Sequence, residues 1–171
     1  MKVKLYLPVL ALLFLINCTQ KSDKEYFDKI MLSIKEKKYT EALSEMEKLL
    51  EKYPESKLSP QAIYEIAKLY HSNLIPNLGK EESLRKAIDC YKKIFSNYKN
   101  FPEAERALFV TGFIFANELN KLDSAKYYYE LFLKNFNNSE LTNSVKLELE
   151  NLGKSPEEIL TKKMNSNAKK N

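Results

Sequence analysis

Two cysteines, Cys18 and Cys90, and a single histidine, His71, are the side chains in this 171-residue chain best suited to nucleophilic or metal chemistry. A Ser-His-Asp or Cys-His device would have to use His71, and no nucleophile stands beside it. Structural and catalytic metal sites draw on clustered His, Cys, Asp or Glu, and one histidine with two distant cysteines does not supply such a cluster. There is no phosphate-binding loop and no dinucleotide fingerprint. The paired carboxylates Glu81-Glu82 and Glu157-Glu158 are simply explained as acids in the first turn of a helix, where they oppose the helix dipole. Cys90 sits between Ile88 and Tyr91 on an apolar helix face, as a small buried hydrophobe. The residues therefore predict a protein without catalytic residues, metal or cofactor.

Cys18 has a different setting. Lys2 and Lys4 make a short positive region, Leu5 to Ile16 is apolar apart from Pro8, and the chain turns polar directly after Cys18. The apolar run is too short to cross a bilayer comfortably as a permanent helix. With Leu15-Ile16-Asn17-Cys18 at its end, the segment resembles a bacterial lipoprotein signal peptide and lipobox, although Asn17 stands where the pattern has Gly, Ala or Ser. The resemblance implies cleavage after residue 17, acylation of Cys18 and a lipid anchor with no cofactor. Residues 1–17 are then the signal peptide and 18–22 a lipidated tether. Two or three acyl chains hold a protein firmly on a membrane. With Cys18 lipidated, Cys90 has no disulfide partner within the chain.

The rest reads as helices. Three Gly and six Pro are few for a loop-rich β protein, and 30% charged with 44% hydrophobic residues is a globular composition. Net charge is +5, and lysines alternate with glutamates except in a basic C-terminal end, which disfavours a nucleic-acid partner. Helical spacing of apolar residues predicts helices from Ser22 or Asp23 to Lys37, Thr40 to Lys52, Ser59 to Ser72, Glu81 or Glu82 to Tyr98, Pro102 to Leu119, Leu122 to Phe136 and Glu140 to Asn151. Ser59 reads as a cap and Pro60 as a first helical residue. Gly153 suits a left-handed stop, and a short helix opens at Ser155. From Lys162 the basic tail is predicted to be disordered.

These helices repeat. Tyr53, Tyr98 and Phe136 each precede a small or β-branched apolar residue by nine positions (Ala62, Ala107 and Val145), and Ala42, Ala87 and Ala125 stand eleven positions before the aromatics. A helix pair cannot hide its apolar stripe alone, but stacked pairs bury a continuous core. The series Ala42, Met46, Leu49, Pro54, followed by Ala87, Tyr91, Ile94 and by Ala125, Tyr129, Phe132, resembles the second helix of the tetratricopeptide repeat. Ala67-Tyr70 and Gly112-Phe115 resemble the small-then-aromatic pattern of its first helix. The terminal proline is replaced by Lys99 and Asn137 in the later copies, and Asn73–Glu82 holds an insertion of about eight residues against the family period of about 34.

The resemblance implies an all-α fold: a right-handed superhelix of about three tetratricopeptide-like helix pairs over residues 23–153 with a C-terminal capping helix, then a short helix and tail over 154–171. Together with the leader, it resembles a shortened form of the BamD-type outer-membrane assembly lipoproteins. That family implies a non-enzymatic scaffold, anchored in the envelope and facing the periplasm. Its partner would be a protein or peptide segment of an envelope complex. A pilotin-like or Tol-Pal-type accessory, stabilising a secretion pore or cell-wall complex, is the other reading. In such folds the first helices of the pairs line a groove, which here implies Phe27, Met31, Tyr64, Lys68, His71, Arg106, Phe109 and Phe113 as partner contacts. Leu74, Ile75 and Leu78 in the inserted loop form a second candidate surface.

Replacing the lipobox cysteine, Cys18→Ala, is expected to move the protein from the membrane pellet to the soluble fraction. Membrane fractionation with detergent extraction reads the outcome, and an unchanged pellet would contradict lipid anchorage.

Overall fold

A computed structural model describes residues 21–168; Cys18, the signal peptide and the first residues of the tether lie outside the described residues. Among the described residues the chain is helical with no strand. The order is α1 (Asp23–Lys35), α2 (Tyr39–Lys52), α3 (Ser59–His71), α4 (Lys80–Asn97), α5 (Ala104–Phe113), a π-helical turn (Ile114–Glu118), α6 (Leu122–Asn135), α7 (Thr142–Asn151) and α8 (Pro156–Ala168). The helices pack in adjacent pairs, α1 with α2, α3 with α4, and α5 with α6, and α7 covers the open side of α6.

The predicted junctions recur atom for atom. Tyr53, Tyr98 and Phe136 end α2, α4 and α6 with φ of −133°, −132° and −132° and ψ of 62°, 50° and 49°. After each of them the same three backbone bonds follow. The amide three residues on donates to the aromatic's carbonyl (Ser56, Phe101, Ser139), and the amide six on donates to that residue (Ser59, Ala104, Thr142). The amide nine on closes the first turn of the next helix (Ala62 to Leu58, Ala107 to Glu103, Val145 to Leu141). Ala62, Ala107 and Val145 are fully buried, as are Ala42, Ala87 and Ala125. A large side chain at any of these six positions would hold neighbouring helices apart.

The turns on the other edge are built differently. Lys37, Asn73 and Asn120 adopt positive φ (59°, 51° and 50°). Asparagine tolerates the left-handed region better than most residues, and Lys37 ends α1 two residues earlier than its predicted limit. In the first two turns the amide after the left-handed residue bonds the carbonyl five residues back (Lys38 to Ser33, Leu74 to Leu69), the usual left-handed helix stop. In the third, Lys121 bonds Phe115, six back, because the π turn carries one extra residue. The sequence predicts an uninterrupted helix here, and the extra residue is the difference.

Other departures are local. Ser59 is the first residue of α3 and Leu58 its cap; the Ser56 hydroxyl accepts from the Leu58 amide at 3.1 Å. Gly153 has φ 77°, as a left-handed stop requires. Ser155 and Glu158 form reciprocal cap bonds at 2.7 and 3.2 Å. Helix α8 then continues to Ala168 instead of giving way to a disordered tail at Lys162. Neither Gly nor Pro interrupts this stretch, so nothing local stops the helix.

Three apolar clusters run along the stack. The first joins Tyr26, Ile30, Ala42, Leu49, Ala62 and Ile66. The second joins Ile63, Tyr64, Ala67, Leu84, Ala87 and Tyr91, and the third Leu108, Ala125, Tyr129, Phe132 and Val145. Ile75 and Leu78 of the inserted loop pack on the first cluster, while Leu74 stays exposed. Gly112 has a packing role: a Cβ there would lie 2.6 Å from Cε1 and 2.7 Å from Cδ1 of the fully buried Tyr129. Glu45, 3% exposed, is held between Lys48 Nζ at 2.8 Å and Lys29 Nζ at 3.3 Å, tying α1 to α2.

Two outcomes follow for stability. Gly112→Ala must push the Tyr129 ring, at about 1–3 kcal/mol of overpacking, which exceeds the gain of up to about 1 kcal/mol in helix propensity. Thermal denaturation should show a melting temperature lower by several degrees. Burial pushes the Glu45 carboxyl up, but bonds from Lys48 and Lys29 outweigh it and hold the group below its ordinary value of 4.5. A depressed carboxylate stabilises the fold above its unfolded pKa and loses that contribution as pH falls through the folded one. Glu45→Gln should therefore cost roughly 1–2 kcal/mol at pH 7, with the gap to the parent protein narrowing in denaturant titrations below about pH 4.

Candidate functional site

Helices α1, α3 and α5 carry the residues predicted to line a groove. On α3, Tyr64, Lys68 and His71 fall at i, i+4 and i+7, hence on one face. On α5, Arg106, Phe109 and Phe113 fall at i, i+3 and i+7. On α1, Phe27 and Met31 are one turn apart and both half-buried.

Their surroundings differ. Tyr64 is 8% exposed and packs edge-on to Tyr91 at 5.9 Å and Phe101 at 6.2 Å. Its outer ring face is covered by Lys68, whose Nζ lies 5.7 Å from the ring centroid and 2.6 Å from Glu65. What α3 offers to solvent here is thus the Lys68 ammonium over an aromatic base. Phe27 packs on the first core cluster. Phe109 leans on Tyr129 (6.1 Å), Phe132 (6.5 Å) and Phe113 (6.5 Å), with Phe113 half-buried and Arg106 exposed beside them. Leu32, next to Met31, is 53% exposed.

His71 does not stand free on this face. Its Nε2 lies 2.5 Å from Oε1 of Glu118, whose Oε2 lies 3.9 Å from Lys80 Nζ, and its ring meets Tyr91 edge-on at 6.4 Å. Glu118 closes the π turn, so this contact fastens the end of α3 to the end of the next repeat's first helix. A small cleft of about 300 Å³ lies beside it, lined by Lys80, Glu81, Leu84, Glu118 and Leu119. Sequence reasoning missed Glu118. The two residues are 47 positions apart, and π turns have no reliable sequence signature.

Chemistry at these positions is limited. Among the described residues no group of three His, Cys, Asp or Glu could hold a metal ion. Cys90 is half-buried on the second core cluster, and burial pushes its thiol up to about 11, so little of it is the nucleophilic thiolate near neutral pH. Among the described residues no helix is long and apolar enough to cross a membrane.

A larger cleft, of about 540 Å³, opens between the first two junctions. Pro54, Pro60, Tyr98, Phe101 and Pro102 line it, with exposed Lys57 and Lys99 among the same residues. The junction residues themselves were legible in the sequence; that two junctions stack to leave a cleft was not.

Comparison with known families gives a match in the first helix pair. Residues 26–56, from Tyr26 on α1 through α2 to Ser56 in the first junction, match the tetratricopeptide repeat model. The first helix pair is therefore similar to a tetratricopeptide repeat, a type of module that generally binds protein or peptide partners. The two later pairs repeat its junction geometry. No curated protein matches the chain.

Proposed function

We propose that this protein is a lipid-anchored scaffold of the bacterial envelope that holds a protein partner near the membrane during outer-membrane assembly or maintenance. One observation carries the binding role: a tetratricopeptide repeat begins a stack of three similar pairs whose first helices present Lys68 over Tyr64 and Arg106 beside Phe109 and Phe113. Aromatic anchors flanked by cations suit a peptide segment that brings apolar side chains and carboxylates. The lipobox pattern ending at Cys18 supports anchorage, and the absence of an acidic residue directly after Cys18 favours the outer membrane, with the domain facing the periplasm.

The role works through binding. A partner segment laid along α1, α3 and α5 would bury the outer faces of Phe113 and Met31 and pair its acidic groups with Lys68 and Arg106. Because these cations are exposed, their contribution falls with added salt.

Photocrosslinking in intact cells tests this. A benzoylphenylalanine at position 68 or 106 should yield an adduct with an envelope protein, whereas one at Lys92 or Lys126, exposed on the second helices, should not. Adducts only from positions 92 and 126 would overturn the assignment of the partner face.

A further inference from the structure

The start of α1 is pinned to the first junction. The Tyr53 hydroxyl donates to the Lys21 carbonyl at 2.5 Å, and the Ser56 hydroxyl donates to Asp23 Oδ2 at 2.7 Å. Lys21 and Lys52 both lie over the Tyr26 ring, at 5.6 and 5.5 Å. The first described residue therefore sits on the edge of the stack that carries the junctions, not on the edge that carries Lys37, the Asn73–Gly79 loop and Asn120.

The chain between this point and Cys18 is short. Three peptide steps reach at most about 11 Å. The opposite edge is one helix length away, and the 13 residues of α1 alone span roughly 20 Å. A lipid on Cys18 must therefore enter the bilayer beside the junction edge. The far turns cannot be swung to the membrane in its place without turning the stack over a tether shorter than the helix.

From this we infer that the edge formed by the first two junctions is the face that rests on the lipid bilayer. The inference depends on Cys18 being lipidated, as proposed above. The chemistry of the edge agrees. Exposed lysines at 21, 24, 52, 57 and 99 outnumber the exposed carboxylates Glu25, Glu51 and Glu55 there, and Asp23 is engaged by Ser56. Between them, Pro54, Pro102, Tyr98 and Phe101 offer an uncharged floor at the cleft. Lysines around an apolar floor suit a surface of lipid phosphates over acyl chains. In this pose the long axes of the helices stand away from the membrane, and the inserted loop with exposed Leu74 points into the aqueous compartment.

Spin labels test the pose on the full chain expressed in bacteria, purified from membranes and reconstituted in vesicles doped with a nickel-chelating lipid. In a Cys90→Ala background, labels are placed at Lys57→Cys and Lys99→Cys on the junction edge, and at Asn77→Cys and Lys121→Cys on the other. Mass spectrometry first reads the acylation of residue 18. With residue 18 acylated, nickel should relax the labels at 57 and 99 several-fold more than those at 77 and 121. Equal or reversed relaxation on the acylated protein overturns the pose and leaves the lipoprotein reading standing. An unacylated Cys18 overturns both.

Discussion

The structure depends on close approach at six small or compact side chains. Ala42, Ala87 and Ala125 let the two helices of each pair meet, and Ala62, Ala107 and Val145 let each pair meet the next. The aromatic residues between them, Tyr53, Tyr98 and Phe136, fix where one helix stops and at what angle the chain leaves it. Spacing of nine and eleven residues thus sets both distances and direction. Long side chains such as Met46, Phe95 and Phe115 then fill what remains between helices, and they can do so because the backbones are already placed.

This division explains which features could be read from the amino-acid order. Patterns that recur within the chain were legible: the junction triplets and the buried alanines repeat at fixed spacings, and Gly153 at a left-handed stop and the capping pair Ser155 and Glu158 are set by residues close by in the chain. Features made by a single long-range contact were not. Glu118 meets His71 across two repeats, and the π turn that ends on Glu118 differs from an α-helix by one residue. Ser59 read as a cap because serine commonly caps helices; the repeated junction instead gives that role to the residue before it, since the bond from Ala62 needs the Leu58 carbonyl. Three of the eight candidate groove residues were also ambiguous for a physical reason. Phe27, Tyr64 and Phe109 show helical spacing whether they pack inward or face a partner, and the structure has each of them leaning on the core.

Charge is arranged to match. Glu45 is the one nearly buried carboxylate described, and it spends both of its cationic neighbours on joining α1 to α2. Lys68, by contrast, is exposed above the Tyr64 ring, and Arg106 is exposed one turn before Phe109 on α5. The first arrangement stiffens the amino-terminal pair that carries the family match. The second leaves positive charge available to other molecules, where desolvation costs little and selectivity comes from the sign of the partner's charge.

The threefold identity of the junctions has a consequence for how such a chain can change over generations. A segment cut after Tyr53, Tyr98 or Phe136 and rejoined after another of them meets the same backbone dihedrals and the same three hydrogen bonds. Copy number can therefore rise or fall by unequal recombination while each surviving pair keeps its own outer face. Length variation such as the inserted loop is confined to the other edge, where it does not interrupt that exchange.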